Sequence, residues 1–150
     1  MVEASIISLE WLAQIHASED GLFTPIGSNG FYHRGGHRAQ YDQQPIEAHA
    51  AVAASLDAYR LTNDDFWMDE AIRAHQWFHG DNDLGIPVCD PENGSCCDGL
   101  HPDRINLNRG AESTLAYLMS RVDLARTAVV AQGVDSPDLM TSIAINTQGV

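Results

Sequence analysis

The chain has 150 residues, 44% of them hydrophobic, and its 21 acidic side chains against 8 basic ones give a formal charge of −13. A domain of that length buries about 68–70% of its unfolded surface, enough for one core. So negative a surface repels phosphate backbones and anionic lipid, which argues against nucleic acid as a partner, and no run reaches the ~20 apolar residues of a membrane span.

The first segment, "MVEASIISLEWLAQIH", lacks the basic n-region of a signal peptide, so the expected compartment is the cytoplasm. Residues 3–17 carry Ile6, Ile7, Leu9, Trp11, Leu12 and Ile15 at helical spacing and predict a first helix. A second helix is expected over 44–61, opening at Pro45, where a missing N–H costs nothing, and containing six alanines that let neighbours approach closely. After Thr62 and Asn63, a third helix runs from an Asp64 cap to Phe78, with Phe66, Ala71, Ile72, Ala74, Trp77 and Phe78 as its core candidates. The fourth is expected over 110–126, with Ala111, Leu115, Leu118, Met119 and Val122 as its apolar positions. No strand is expected before residue 128. Gly133 and Pro137 interrupt the remaining segment, so residues 1–128 read as one helical domain and 129–150 as a weakly structured tail.

The connections are uneven. Helices two and three are separated by a short turn and should form an antiparallel hairpin, whereas 18–43 and 80–109 are far longer than helix packing requires. If successive helices alternate in direction, both long loops and the N-termini of helices two and four share one face, the natural place for function. The first loop brings His37, Asp42, Gln43, Gln44 and, one turn into helix two, Glu47. The second brings Asp83, Asp98, His101, Arg104, Asn106, Asn108 and Glu112, with Trp77 just before it. Carboxylates accept from adjacent hydroxyls, amides fix orientation and rings stack on C–H faces, so this set suits a sugar.

Structural roles compete for several of these residues. Asp42 can cap helix two, Ser113 or Asn108 can cap helix four, and Glu112 can complement that helix's dipole. Gly99 and Gly110 suit positions of special backbone geometry, and Trp11, Trp67, Trp77 and Phe78 suit a core, although Trp77 is near enough to the loop to stack on a ligand. No metal or cofactor is expected. Cys89, Cys96, Cys97 and His101 have zinc-ligand types but not zinc spacing, and the glycines between His33 and His37 argue against a helical histidine pair. The acidic loop also lacks EF-hand spacing.

"YDQQPIEA", followed by "WFHGDNDLGIPVCDPENGSCCDGLHPDRINLNRGAESTLAYL", resembles the C-terminal part of bacterial six-hairpin glycosidase-like (α/α) toroid domains, of the kind found with glycosyltransferases. The likeness covers roughly residues 18–124. Cys97 and Arg109 depart from the family pattern, which has Arg or Tyr before "DGL" and Gln before "GAEST". The resemblance implies an all-α fold of antiparallel helical hairpins forming part of a toroid. It also implies a carbohydrate-binding or carbohydrate-active cleft built from residues 31–47 and 81–112. Asp42, Glu47, Asp98 and Glu112 would be its carboxyls, one acting as general acid and another as base if a bond is cleaved, making it glycoside hydrolase-like. Gln43, Gln44, His37, Trp77, Asp83, His101, Arg104, Asn106 and Asn108 would hold the sugar. A full toroid has about twelve helices and this chain four, so the open seams imply a homo-oligomer or a larger chain. The alternative is a non-catalytic accessory or oligomerisation module.

Overall fold

The computed structural model describes residues 2–131. Four helices dominate: α1 (Val2–Ile15), α2 (Pro45–Thr62), α3 (Asp65–Gln76), extended by a 3-10 turn at Trp77–His79, and α4 (Ala111–Ala131). The tail expected from 129 onward lies outside the described residues beyond Ala131, and α4 runs five residues past its expected end.

α2 is the centre of the packing. Ala48, Val52 and Leu56 are fully buried along it, against Trp67, Ala71 and Ala74 of α3 and Ala116 and Tyr117 of α4. Pro45 sits at its start, as expected, and Asn63 ends it in the left-handed conformation (φ 55°), donating its N–H to the Tyr59 carbonyl at 2.8 Å. One residue on, Asp64 caps α3 by accepting the Phe66 N–H at 3.0 Å. The link between α2 and α3 is therefore two residues, each doing local work.

Ala71, Ala74, Trp77 and Phe78 are buried as expected, but other expected core positions are not: Trp11 of α1 is 49% exposed. Phe66 and Ile72 of α3 are 46% and 43% exposed. On α4 the residues turned inward are Ser113, Ala116, Tyr117, Ser120 and Thr127, while Leu115, Leu118, Met119 and Val122 form an exposed stripe. The small residues win the inner face because α4 lies close against α2, and Ser120 satisfies itself there on the Ala116 carbonyl at 2.8 Å.

α1 buries no residue fully. Arginines fasten it instead. Arg73 of α3 donates to the carbonyls of Ala13, His16 and Leu22 while also holding Glu70, and Arg38 donates to Ile15 and Thr24. Two guanidinium groups thus meet carbonyls that end α1 and have no helical partner, at the negative end of its dipole.

Two short strands, β1 (Gly99–Leu100) and β2 (Ile105–Asn106), pair antiparallel with Gly99 opposite Asn106, contrary to the strand-free expectation. Two residues per strand are too few to leave a period in sequence. Leu100 also exchanges backbone hydrogen bonds with Gln43, at 3.0 Å in each direction, which joins the two long loops. Gly99 is essential to this approach: its φ is +134°, and a Cβ there would lie 2.0 Å from the Gln43 carbonyl oxygen.

A Gly99→Ala substitution is accordingly expected to destabilise the chain by about 3 kcal/mol or more. Gly85→Ala, at φ +65° with nothing within 4 Å of the new methyl, should cost only about 1 kcal/mol. Urea unfolding of both variants checks this, and equal costs would refute the close approach.

Candidate functional site

The junction of the two loops is built around one buried amide. Gln43 is fully buried, and its Nε2 donates to Asp83 at 2.6 Å and to the Gln40 carbonyl at 3.0 Å, while its Oε1 accepts the Trp77 indole N–H at 2.9 Å. Asp83 is occupied too, by Thr24 Oγ1 at 2.9 Å and Gln40 Nε2 at 3.3 Å. Trp77 has no exposed ring surface. Of the residues expected to bind ligand, Gln43, Asp83 and Trp77 therefore form the frame of the site; the indole offers no face on which a sugar can stack.

The next residue along is Asp42, whose Oδ1 accepts a hydrogen bond from His101 Nδ1 at 2.7 Å. The side chains are 39% and 26% exposed respectively. Asp42 does not cap α2: the residue at that position is Gln44, and its side chain makes no capping bond. In the tautomer that carries its proton on Nδ1 for the carboxylate, the His101 ring presents Nε2 as an acceptor. The second oxygen of Asp42 has no hydrogen-bond partner among the described residues. The pair combines an orienting bond with free acceptors, and it stands where the two loops meet.

Asp98 is different. Its carboxylate accepts the Gly110 N–H and the Ser113 hydroxyl, both at 2.7 Å, and the amide of Asn108. Burial alone would raise its pKa, but these donors outweigh it and hold the group below the usual carboxylate range. A carboxylate so held is a poor proton donor. It works as an anchor fixing the second loop to the start of α4, and Gly110 is small because a Cβ there would sit 3.0 Å from it. Ser113 serves that anchor through its side chain, whereas Asn106 accepts the Asn108 N–H at 3.2 Å.

Glu47 and Glu112 stand apart from this junction. Glu112 is exposed in the first turn of α4. Glu47 points toward α1, into a cavity of about 330 Å³ that it shares with Leu12, His16, Phe23 and Glu70. Burial raises its pKa to about 7 against the opposing hydrogen bond from the Ile26 N–H, and Oε2 is buried without a partner. His37 and Gln44 are exposed, and Arg104 turns to its neighbour Asp103 at 2.7 Å. The four carboxyls thus differ in setting: Asp42 pairs with a histidine, Asp98 is engaged by three donors, Glu47 lines a cavity and Glu112 is exposed. Cys96 and Cys97 are buried, with Cys89 facing Cys96 across an antiparallel bridge. Among the described residues no group of three or more histidines, cysteines or acids is placed to hold a metal.

Sequence reasoning missed Thr24, Gln40, Arg38 and Arg73. The arginines had a faint signal, being 2 of only 8 basic residues in so acidic a chain.

No protein-family model and no curated protein matches the chain, so its own geometry has to carry the functional argument. Two pH responses follow from that geometry. Asp98, with its folded pKa below the ordinary value of 3.8, contributes stability that is complete above that value and lost as pH falls through the folded one. Asp98→Asn should cost about 1–3 kcal/mol at pH 7, with wild type and variant converging in acid; a gap independent of pH would contradict the anchor. Glu47 runs the other way: its own contribution to stability should fall as pH rises from about 4.5 to about 7, because the folded state holds the proton longer, while His16 and His75, lowered to about 4 in the folded state, add stability over much of the same range. The wild type should therefore lose stability relative to Glu47→Gln, which keeps the histidine contributions, as melting temperatures of both across pH 4–8 would reveal.

Proposed function

We propose that this chain is a carbohydrate-binding domain related to six-hairpin glycosidases, forming part of an (α/α) toroid, with its ligand held at the Asp42–His101 pair. The supporting observation is that pair itself: a half-exposed carboxylate hydrogen-bonded at 2.7 Å to an imidazole, where the two long loops join. A free carboxylate oxygen and an imidazole nitrogen, both acceptors, suit adjacent sugar hydroxyls. The frame beneath them fixes their spacing before a ligand arrives, which lowers the cost of binding.

Binding is favoured over hydrolysis. Glycoside cleavage needs two carboxyls at a common bond, one holding a proton and one ionised. Here Asp98 is engaged by three donors, Glu47 faces another cavity and Glu112 is exposed on α4. The second reading is an assembly module. It draws on the exposed α4 stripe of Leu115, Leu118, Met119 and Val122, whose i, i+3, i+4, i+7 spacing suits another helix.

A thermal-shift screen against neutral mono- and oligosaccharides should find one that stabilises the wild type, by about 2.7 kcal/mol at 100 times its dissociation constant. Asp42→Asn and His101→Ala should lose the response while keeping the fold. If no sugar acts and the particle is a stable oligomer that Met119→Lys or Val122→Lys dissociates, the assembly reading replaces this one.

A further inference from the structure

Cys89 and Cys96 lie outside the site described above, and the backbone sets them face to face. The Asp90 N–H donates to the Ser95 carbonyl at 2.9 Å and the Cys97 N–H to the Val88 carbonyl at 2.8 Å, one bond on each side of the pair. The two cysteines give their own N–H groups elsewhere, to the Phe78 carbonyl and to Thr114 Oγ1. They are therefore a non-hydrogen-bonded antiparallel pair, the register that brings Cα atoms to about 4.5 Å and side chains closest together. A disulfide spans Cα separations of roughly 4.4–6.8 Å, so rotation of the side chains suffices to bridge the pair. Cys96 Sγ has only its contact with the Cys97 carbonyl, at 3.3 Å, to give up. Cys97 is the next residue along, and its side chain falls on the opposite side of the ladder.

The two sulfurs differ in access. Cys96 is fully buried, whereas Cys89 is half-buried and its Sγ lies 3.6 Å from Nδ1 of His79 in a contact open to solvent. Nε2 of His79 lies in turn 3.3 Å from Nε2 of His75, four residues back. In the tautomer that donates from His79 Nε2 to His75, Nδ1 is left as an acceptor for the Cys89 thiol proton. A nucleophile, a base and a third group that orients the base thus stand in line. Burial raises the Cys89 thiol and lowers the His79 imidazole, so both rest neutral and the proton moves only as the sulfur attacks.

We propose that Cys89 and Cys96 form a reversible disulfide driven by hydrogen peroxide, with Cys89 the attacking thiol, His79 its base and Cys96 the resolving thiol. Cys89 Sγ attacks one peroxide oxygen as its proton passes to His79 Nδ1. The O–O bond breaks, and the departing hydroxide takes that proton and leaves as water, with Cys89 now a sulfenic acid. Cys96 Sγ then attacks Cys89 Sγ, the S–O bond breaks, and the hydroxide leaves with the Cys96 proton as a second water. Two thiols and one peroxide give one disulfide and two waters, the sulfurs supplying both electrons. The bond closes the turn that leads, through Cys97, into the Asp98 anchor.

The test uses the full chain, reduced, exposed to hydrogen peroxide, then denatured and alkylated. Of the three cysteines, one should be alkylated, in a monomer lighter by two hydrogens. Cleavage after Glu92 should leave two fragments that stay joined until a dithiol reductant separates them. Cys97→Ser should keep that bridge and Cys89→Ser should lose it, while Cys96→Ser should stop at a Cys89 sulfenic acid that a 1,3-diketone traps. His79→Gln should slow the loss of free thiols about tenfold or more without changing the product. The oxidised chain should unfold at a higher urea concentration than the reduced one. Three alkylated thiols after peroxide, a bridge that runs through Cys97, or His79→Gln reacting as fast as the wild type would overturn the proposal. Should Cys96→Ser fail to fold, the fragments of the wild type and of Cys97→Ser still decide between these outcomes.

Discussion

The arrangement rests on the complete satisfaction of Gln43. A side-chain amide buried to zero exposure would be a liability if any of its groups were left unpaired, at about 1–3 kcal/mol each. Here Asp83, the Gln40 carbonyl and the Trp77 indole meet the side chain, and Leu100 meets the backbone in both directions. The partners come from both long loops and from the end of α3, so the residue cannot be removed from one element without loosening the others. Such a network rigidifies only when every member is paired. That condition is what allows two irregular loops to serve as a fixed frame for the exposed Asp42 and His101 beside it.

Electrostatics then divides the acidic residues by their surroundings. Asp98, given three donors, stays ionised and anchors a loop to a helix, whereas Glu47, given one donor and an apolar wall, is pushed toward neutrality. Two carboxyls that look alike in sequence end with opposite tendencies because one meets the start of α4 and the other meets alanines. The few cations are used sparingly: Arg38 and Arg73 close the end of a helix that has little apolar burial of its own. α1 is held mainly at one end, which leaves room along its length for the cavity that Glu47 lines.

Much of the helical framework was legible because its signals are local. Pro45, Asp64 and the 3.6-residue apolar period act within a turn or two, and the elements they mark are present. The inward face of α4 was not legible, because Leu115 and Leu118 carry the stronger apolar pattern while the close approach of α2 selects Ser113, Ala116 and Ser120. The site was legible in part for the same reason. Loop length pointed to where chemistry-bearing residues gather, and Asp42 and His101 do meet, 59 residues apart in sequence. Nothing local says that Gln43 pairs with Trp77 or that Ser113 turns to Asp98. Those partners are chosen by the fold, and with them the difference between a side chain that faces a ligand and one that holds the frame.

Native-state hydrogen exchange at the backbone amides of Gln43 and Leu100 tests the central claim most directly, because each donates to the other's carbonyl across the loop junction. If the junction is one rigid unit, both amides should exchange only through global unfolding, with protection matching the unfolding free energy from urea. Exchange at the rate of an open loop, such as that around Gly35, would mean that the loops part independently and that no fixed frame exists for Asp42 and His101.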